Sequence, residues 1–414
     1  MNIKPGRARF DIHFSDMHPE VSLIMIASGA EYRLLTIAEP DPYPFYKRLR
    51  DEDPAHYSHT EDLWVLTRYD DVAGAFRDWK TWSSGRRGNL INDPPERVGK
   101  TLGTTDPPRH TFARGIVNKA FTPRTVADLE PRIRGLARDL SAAAREKRAI
   151  DFAADISAPF NAAILGTMFG VPDADFIRLR HWLDDFFLRE PPVGDEEPKH
   201  QAAMRHLTGY VRELAEARIE NPEDDLMTAM LEAEDEGQRL GIETVVVTSI
   251  TFLVAGFEST NNLFTNLAHA LALHPEVYRE VKADPALVPA LAEEGMRWDA
   301  AAQGFVRSPT RDVDLHGKTI PEGAQVLLHI GSANRDERRF ENPDRFDVHR
   351  DLTRHLGMGL GIHFCVGAPL GRLMTQAIFA EMLAASERWD VDPEAAVRVR
   401  MPNFRGFARL PIKI

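Results

Sequence analysis

The sequence predicts a mainly α-helical protein with a minor β component. Helical periodicity dominates residues 106–300 and returns at about 366–388. Short runs rich in β-branched and aromatic residues lie outside these stretches, at about 40–105, 305–330 and 390–414. Together these observations indicate that helices form most of the structure and that strands form a smaller part.

The chain of 414 residues is long enough to bury a large core. Length alone predicts two lobes, or one large domain with a smaller attachment. Residues 1–35 are expected to be a poorly constrained N-terminal extension. The extension carries scattered charges of both signs and lacks the layout of a signal peptide.

Composition narrows the class of protein. The net charge of −12 argues against a nucleic-acid partner, because nucleic-acid binders present a basic face. The single cysteine excludes an intramolecular disulfide and fits a reducing, cytoplasmic location. The longest apolar runs, Val21–Ala27 and Val245–Ala255, fall short of the ~20 residues that a membrane span needs.

The first local elements are a strand, a helix start and a loop. Trp64–Thr67 predicts a strand, and the residues that follow it predict the start of a helix. Residues 83–105 are rich in glycine, proline and polar residues and predict a long loop, a feature that is often functional. Asp106-Pro107-Pro108 predicts a helix start with Asp106 as the capping residue.

A polar group interrupts the long apolar helix predicted within residues 238–274. Glu258 lies there, followed by Ser259 and Thr260, and a buried carboxylate is costly unless it is used or paired. Gly256 weakens the helix, and the two hydroxyls can bond to preceding carbonyls and open it. The pattern fits either a proton-delivery site or an ordinary helix junction with Glu258 at the surface.

Two further pairs have helical spacing. Glu294 and Arg297 are three residues apart, as in an ordinary helical ion pair. His110 and Arg114 are four apart and share one face, so they can grip carboxylates together or simply face solvent.

The only cysteine, Cys365, lies in a glycine-dense segment that runs from His355 to Arg372 and precedes a predicted helix. Glycines let a backbone turn sharply and approach a flat ligand closely. A helix N-terminus stabilises a thiolate. A functional thiolate and a buried structural cysteine both fit these local features.

In this order and spacing, the four elements resemble a bacterial cytochrome P450, a haem-thiolate monooxygenase, from about residue 40 to the C-terminus. The cysteine segment is similar to the family pattern Phe-Gly-x-Gly-x-His-x-Cys-x-Gly and is here Met358-Gly359-Leu-Gly361-Ile-His363-Phe-Cys365-Val-Gly367. It departs from the family at Met358, where Phe is usual, and at Gly371, where Ala is usual. The resemblance implies a single domain over residues 36–414, a triangular helical prism with a long central helix over the haem.

The resemblance also implies a cofactor, haem b (iron protoporphyrin IX), with the Cys365 thiolate as the axial ligand of its iron. It implies that His110, Arg114, Arg307 and His363 bind the haem propionates through charge-assisted bonds. Gly359, Gly361 and Phe364 are the other implied haem contacts. Glu294, Arg297 and Arg350 are implied as a structural network that holds the cysteine segment.

Ala255-Gly256-Phe257-Glu258-Ser259 resembles the family's oxygen-activation motif Ala-Gly-x-(Asp/Glu)-Thr. Ser259 occupies the usual Thr position and Thr260 follows it, so either hydroxyl can serve with Glu258 in delivering protons to bound dioxygen. The thiolate then donates electron density to the iron and favours O–O cleavage.

The implied reaction inserts one oxygen atom of O2 into a small organic substrate, by hydroxylation or oxidative O-demethylation. Electrons are expected from a separate iron–sulfur ferredoxin and its NAD(P)H-dependent reductase. A ferredoxin is usually acidic, so it needs a basic patch on the cysteine side, for which the candidates are Arg109, Lys119, Arg354 and Arg372. Two other readings stay open: a haem-binding protein without turnover, and a helical protein without haem in which Cys365 is structural.

The loop at Ser83–Leu90 resembles that of family members that demethylate methoxylated aromatics. Arg86 or Arg87 would then pair with a substrate carboxylate, although two arginines in a loop can equally face solvent. Other expected pocket residues are Leu90, Phe186, Ala255 and Phe257. The expected substrate is a small aromatic ether or aromatic acid, and the alternatives are terpenoids, fatty acids and secondary metabolites.

Overall fold

A computed structural model describes residues 31–414 except Asn92, Pro94, Glu96, 188–196, Glu236, Leu352 and Thr353. Helices form most of the described chain, as the sequence predicts. They are α1 Tyr43–Glu52, α2 Tyr69–Arg77, α3 Arg109–Ala120, α4 Pro123–Lys147, α5 Ala158–Met168, α6 Phe176–Phe187, α7 Lys199–Glu220, α8 Leu226–Glu232, α9 Ile242–Leu273, α10 Pro275–Ala283, α11 Val288–Trp298, α12 Ile330–Ala333 and α13 Ala368–Ala385.

The strands are short. They are β1 Ala55–Ser58, β2 Leu63–Leu66, β3 Trp82–Ser83, β4 Ala149–Asp151, β5 Glu234–Asp235, β6 Gln238–Arg239, β7 Gly304–Pro309, β8 Val313–Leu315, β9 Lys318–Ile320, β10 Val326–His329, β11 Asp390–Val391, β12 Val397–Arg398, β13 Phe407–Arg409 and β14 Pro411–Lys413. The largest sheet has the order β1-β2-β10-β7-β3. A second sheet has the order β11-β14-β4, and the remaining strands form hairpins.

Helix α9 forms the centre of the helical part. It is long and apolar enough to cross a membrane by length and composition alone. In the structure it packs against α5, α7 and α11, and many of its apolar side chains belong to the largest core cluster. Its apolar character is therefore explained by burial inside the protein.

Three local expectations need correction. The Asp106 carboxylate does not cap α3: it accepts bonds from the Ser83 hydroxyl and from the backbone N–H groups of Ser84 and Gly85. Helix α9 is continuous through Gly256, whose lack of a side chain serves close packing, since a Cβ there would lie 3.1 Å from Leu165.

The third correction concerns the N-terminal boundary. Residues 1–30 of the predicted extension lie outside the described residues. Residues 31–35 belong to the packed structure, because Tyr32 is fully buried and its backbone N–H donates to His56 Nε2 at 3.2 Å.

Candidate functional site

The cysteine segment is a tight loop that ends at the N-terminus of α13. The backbone N–H of Cys365 donates to Met358 O at 2.9 Å, which closes the loop. Gly361 has φ +70°, and a Cβ there would lie 2.3 Å from the carbonyl oxygen of Phe76 in α2. Only glycine meets both requirements, so this position fixes how closely the loop approaches α2.

The Cys365 side chain is accessible to solvent, yet enough protein surrounds it that burial raises the pKa of its thiol. Backbone N–H groups of Gly367 and Ala368 and the charges of Arg114 and Arg372 act in the opposite direction, because each favours the thiolate. The loop therefore already provides donors and cations that favour a thiolate.

Four basic side chains converge beside this loop, and we call them the cationic cluster: His110, Arg114, Arg307 and His363. The rings of His110 and His363 lie 4.4 Å apart, and the Ser84 hydroxyl contacts His363 Nε2 at 3.2 Å. Burial lowers the pKa of all four groups, and repulsion from the other members adds to this effect for both histidines.

The cationic cluster fits a ligand that carries carboxylates. His110 Nε2 is buried and has no hydrogen-bond partner among the described residues. The pKa of Arg307 falls to about 10, and the Asp106 carboxylate offsets this only in part. Since buried cations are costly without anions, two carboxylates on a flat ligand, as in the haem propionates, match this donor set.

Glu294 and Arg297 form a fully buried ion pair in α11. Arg297 Nε and Nη2 both donate to the Glu294 carboxylate at 2.7 Å. The guanidinium also donates to three backbone carbonyls, those of Asn334, Pro343 and Arg345. This pair is therefore an anchor for the segment that leads into the cysteine loop, and it differs from an exposed helical ion pair.

Arg350 joins this anchor at its edge. Its Nε lies 3.7 Å from Glu294 Oε1, and its Nη atoms donate to the carbonyls of Glu341, Asn342 and Arg345. The structure thus brings together the three residues that the resemblance groups as a network.

One face of α9 is accessible although the helix is central. Ala255 is exposed and Ser259 is half-buried one turn later, and Val247 and Thr251 precede them at the same four-residue spacing. The hydroxyls of Thr251 and Ser259 donate to Val247 O and Ala255 O, each four residues back, at 2.7 Å. Ser259 is thus placed beside Ala255 on the accessible face.

Glu258 is buried next to this face. Its Oε1 accepts a bond of 2.6 Å from Asn262 Nδ2, and burial raises the pKa of Glu258 to about 7, with a smaller contribution from the charge of Asp184 in α6. A carboxyl group with this pKa can both hold and release a proton near neutral pH. Thr260 is half-buried, like Ser259.

The raised pKa of Glu258 predicts a pH-dependent gain in stability for Glu258→Gln. The unfolded carboxyl has an ordinary pKa near 4.5, so between pH 4.5 and 7 the folded chain binds more protons than the unfolded chain. The free energy of unfolding of the wild type therefore decreases as the pH rises through this range. The neutral amide avoids this loss. We expect the variant to gain up to about 3 kcal/mol at pH 8 and little at pH 4, measured by urea unfolding.

Glu243→Gln is the matched control, because Glu243 is an exposed carboxylate in the first turn of the same helix. It should show no gain at pH 8. An equal gain for Glu258→Gln at both pH values would contradict burial of a titrating carboxyl group.

Comparison with known proteins shows the family of this chain. The sequence profile of the family described as cytochrome P450 matches residues 54–414. The chain belongs to the cytochrome P450 family. Similar relatives include the cytochrome P450 monooxygenase PikC from Streptomyces venezuelae, 34% identical over 90% of this chain and 91% of that protein. The vitamin D(3) 25-hydroxylase from Pseudonocardia autotrophica is 33% identical over 90% of this chain and 93% of that protein.

A solved structure agrees with these sequence matches. Cytochrome P450 CYP109E1 from Bacillus megaterium, in complex with testosterone, superposes with a TM-score of 0.82 at 29% identity, covering 90% of this chain and 99% of that one. The cytochrome P450 fold is thereby confirmed. P450 enzymes are monooxygenases that bind haem b through a cysteine thiolate and use O2, an organic substrate and electrons from a redox partner.

The P450 loop predicted to meet a substrate carboxylate places its arginines on the surface. Arg86 is exposed and forms an ion pair with Glu322 at 2.8 Å. Arg87 is exposed and lines a surface pocket of about 350 Å³ together with Tyr57 and Trp64. Both arginines are therefore exposed, and Arg86 already has a carboxylate partner.

The other expected pocket residues divide into two groups. Phe257 is only 2% exposed and belongs to the main core, so its side chain cannot line an open pocket. Ala255 is exposed, Leu90 is half-buried, and Phe186 packs edge-to-face against Phe187 at 4.9 Å. Phe257 therefore differs from the expectation that it lines the substrate pocket. Positions two residues apart along a helix point in nearly opposite directions, so Phe257 faces away from Ala255.

The four basic candidates for a partner surface also differ in their contacts. Arg372 is bound by Glu293, whereas Lys119 and Arg109 donate to the carbonyls of Glu234 and Gly99. Arg354 is exposed. Arg372 is thus paired with a carboxylate, whereas Arg109 and Lys119 are bound to backbone carbonyls.

Three polar residues near the site were not predicted. Ser84 contacts His363, Asn262 binds Glu258, and Asn161 in α5 donates to the carbonyls of Gly256 and Phe257 at 3.2 and 2.8 Å. The four-residue spacing of Glu258 and Asn262 is visible in the sequence and could have revealed that pair. The other two contacts join distant segments and leave no local signal.

Proposed function

We propose that this P450 holds haem b with Cys365 as the axial thiolate ligand and the cationic cluster on the propionates. The observation that supports this most directly is the juxtaposition of the only cysteine, in its closed glycine loop, with a partly buried basic cluster that contains the unpartnered Nε2 of His110. Gly359, Gly361 and Phe364 are proposed as the remaining contacts on the cysteine side. When bound, haem supplies the activation of O2 and the oxidation of the substrate.

We further propose that Glu258 and Ser259 would deliver protons to the site when haem is bound. Glu258 holds or releases a proton at a buried carboxyl group with a pKa of about 7. Ser259 lies on the accessible face of α9, whereas Glu258 is buried beside it, so the two can act in sequence through water. Thr260 is the alternative hydroxyl.

The substrate that we propose is an apolar organic molecule without an obligatory carboxylate. Arg86, the first candidate for a carboxylate partner, is engaged by Glu322. Relatives are named for vitamin D(3) and seen with testosterone, and both of these are large apolar molecules. Terpenoid-like or polycyclic compounds are thus favoured over the aromatic acids expected from the loop, and hydroxylation over O-demethylation.

Spin-state titration tests the substrate class. Testosterone and a monoterpene should shift the ferric Soret band toward the high-spin position, whereas 4-methoxybenzoate should shift it weakly. A saturating shift with the benzoate alone would overturn the proposal and return Arg86 or Arg87 to the substrate pocket.

Electrons are proposed to come from a ferredoxin with an NAD(P)H-dependent reductase, in the cytoplasm. The supporting observation is that Arg109, Lys119 and Arg354 are exposed cations on segments near the cysteine loop. Product formation coupled to NAD(P)H and O2 consumption tests the enzyme as a whole. Haem and ligand binding without turnover would instead support a carrier.

The cationic cluster predicts tight haem retention. In Arg307→Leu, the haem propionates lose a buried cation, so we expect haem to dissociate about tenfold faster or more. The measurement is the rate of haem transfer to an acceptor protein in excess. Arg311→Leu, on the exposed turn after β7, is the control and should transfer haem at the wild-type rate, and equal rates for both variants would remove Arg307 from the haem contacts.

A further inference from the structure

Glu293 lies directly before the anchor residue Glu294 in α11, but its side chain has different partners. Arg372 donates to the Glu293 carboxylate through Nε at 2.5 Å and Nη2 at 3.0 Å, a two-point contact. His355 Nε2 contacts the same carboxylate at 3.0 Å. Glu293 is 22% exposed and the His355 side chain only 4%, so this cluster is partly shielded from solvent.

The contact ties three segments together around Cys365. His355 begins the cysteine segment, and its Nδ1 accepts the backbone N–H of Gly357 at 3.1 Å. A Cβ on Gly357 would lie 2.4 Å from Met296 O, so the segment rests directly on the α11 backbone. Arg372 lies in α13, which starts three residues after Cys365.

Arg372 lies in the second turn of α13, seven residues after Cys365. A Cβ on the neighbouring Gly371 would lie 3.7 Å from Met358 Cε, so this turn packs against the cysteine loop and brings the charge of Arg372 close to it. An arginine side chain is flexible and well solvated unless a carboxylate fixes it, and a two-point contact fixes both its distance and its plane. Glu293 also compensates part of the positive charge that Arg372 brings.

We propose that Glu293 is a positioning residue that holds Arg372 beside the cysteine loop and sets the net charge acting on the sulfur. This inference rests on the proposed function, because it takes Cys365 as the haem ligand. Its role differs from that of Glu294, which anchors backbone carbonyls. Positive charge near an electron-rich thiolate favours the reduced haem, and negative charge favours the oxidised haem.

The test compares the reduction equilibrium of haem-loaded wild type, Glu293→Gln, Arg372→Gln and the double variant. Glu293→Gln keeps an oxygen acceptor for Arg372 but removes the compensating charge, so the ratio of reduced to oxidised protein at a fixed potential should rise about tenfold. Arg372→Gln leaves the carboxylate less compensated, and the ratio should fall by a similar factor. The double variant should return to within about threefold of wild type.

Two further variants keep the outcome decisive. Arg372→Lys retains the charge and should restore most of the ratio lost in Arg372→Gln. Glu280, in α10, forms an exposed pair with His349. Glu280→Gln removes that carboxylate and should leave the ratio of reduced to oxidised protein unchanged. Shifts of the same sign in both single variants, or no shift in either, would overturn the proposal and leave Glu293 a purely structural residue. If wild type itself lacks the thiolate spectrum, the proposed function fails instead.

Discussion

Cys365→Ala should abolish the red-shifted Soret band that the reduced, carbon monoxide-treated protein is expected to show. That band requires a thiolate opposite carbon monoxide on the haem iron, and the chain contains one cysteine. No second thiolate can therefore replace it. Within the described residues no cluster of three or more metal-ligating side chains offers another site.

Met358→Leu is the matched control for this experiment. It replaces a side chain of the same loop with one of similar volume. It also keeps the backbone carbonyl that accepts the hydrogen bond from Cys365 N–H. We expect the band to persist in this variant. If the band survived in Cys365→Ala, the ligand would lie elsewhere and the haem-thiolate assignment would be wrong.

The cysteine loop was predictable because its requirements are local. Gly359 and Gly361 have φ of +71° and +70°, which disfavours other residues. The helix that follows also depends on short-range preferences. Such features depend on residues that are close together in the sequence, so the sequence alone identifies the loop and the family that it resembles.

Contacts between distant segments could not be predicted in the same way. Local rules assign Asp106 to a helix cap, but its carboxylate binds the loop at Ser83–Gly85, more than twenty residues earlier. The largest sheet joins β1 and β2 to β10, about 260 residues later. Likewise, apolar character alone cannot tell whether Phe257 faces the core or an open pocket; the packing of α9 on α5 decides this.

Arg297→Met should destabilise the protein by more than Glu294→Gln. For Glu294→Gln we expect a loss of about 3–5 kcal/mol, because the buried guanidinium loses its charge partner. Arg297→Met leaves a buried carboxylate, removes the donors to the carbonyls of Asn334 and Pro343, and removes one of the two donors to Arg345 O. Each buried carbonyl without a partner adds about 1–3 kcal/mol. Urea unfolding of the haem-loaded proteins measures both losses.

The double variant Glu294→Met with Arg297→Met tests whether these two residues stabilise the protein only as an ion pair or also by binding backbone groups. An isolated buried pair is often replaced by apolar side chains at little cost, so a simple pair predicts recovery of most stability. Here the carbonyls of Asn334 and Pro343 and the N–H of Asp347, which donates to Glu294 at 2.9 Å, lose their partners, whereas Arg345 O keeps Arg350 Nη2 as a donor. We therefore expect the double variant to recover little stability. The control is Asp51→Asn, which removes one partner of an exposed ion pair with Lys47 and should cost under about 1 kcal/mol. Full recovery in the double variant would show that Arg297 acts only as the partner of Glu294.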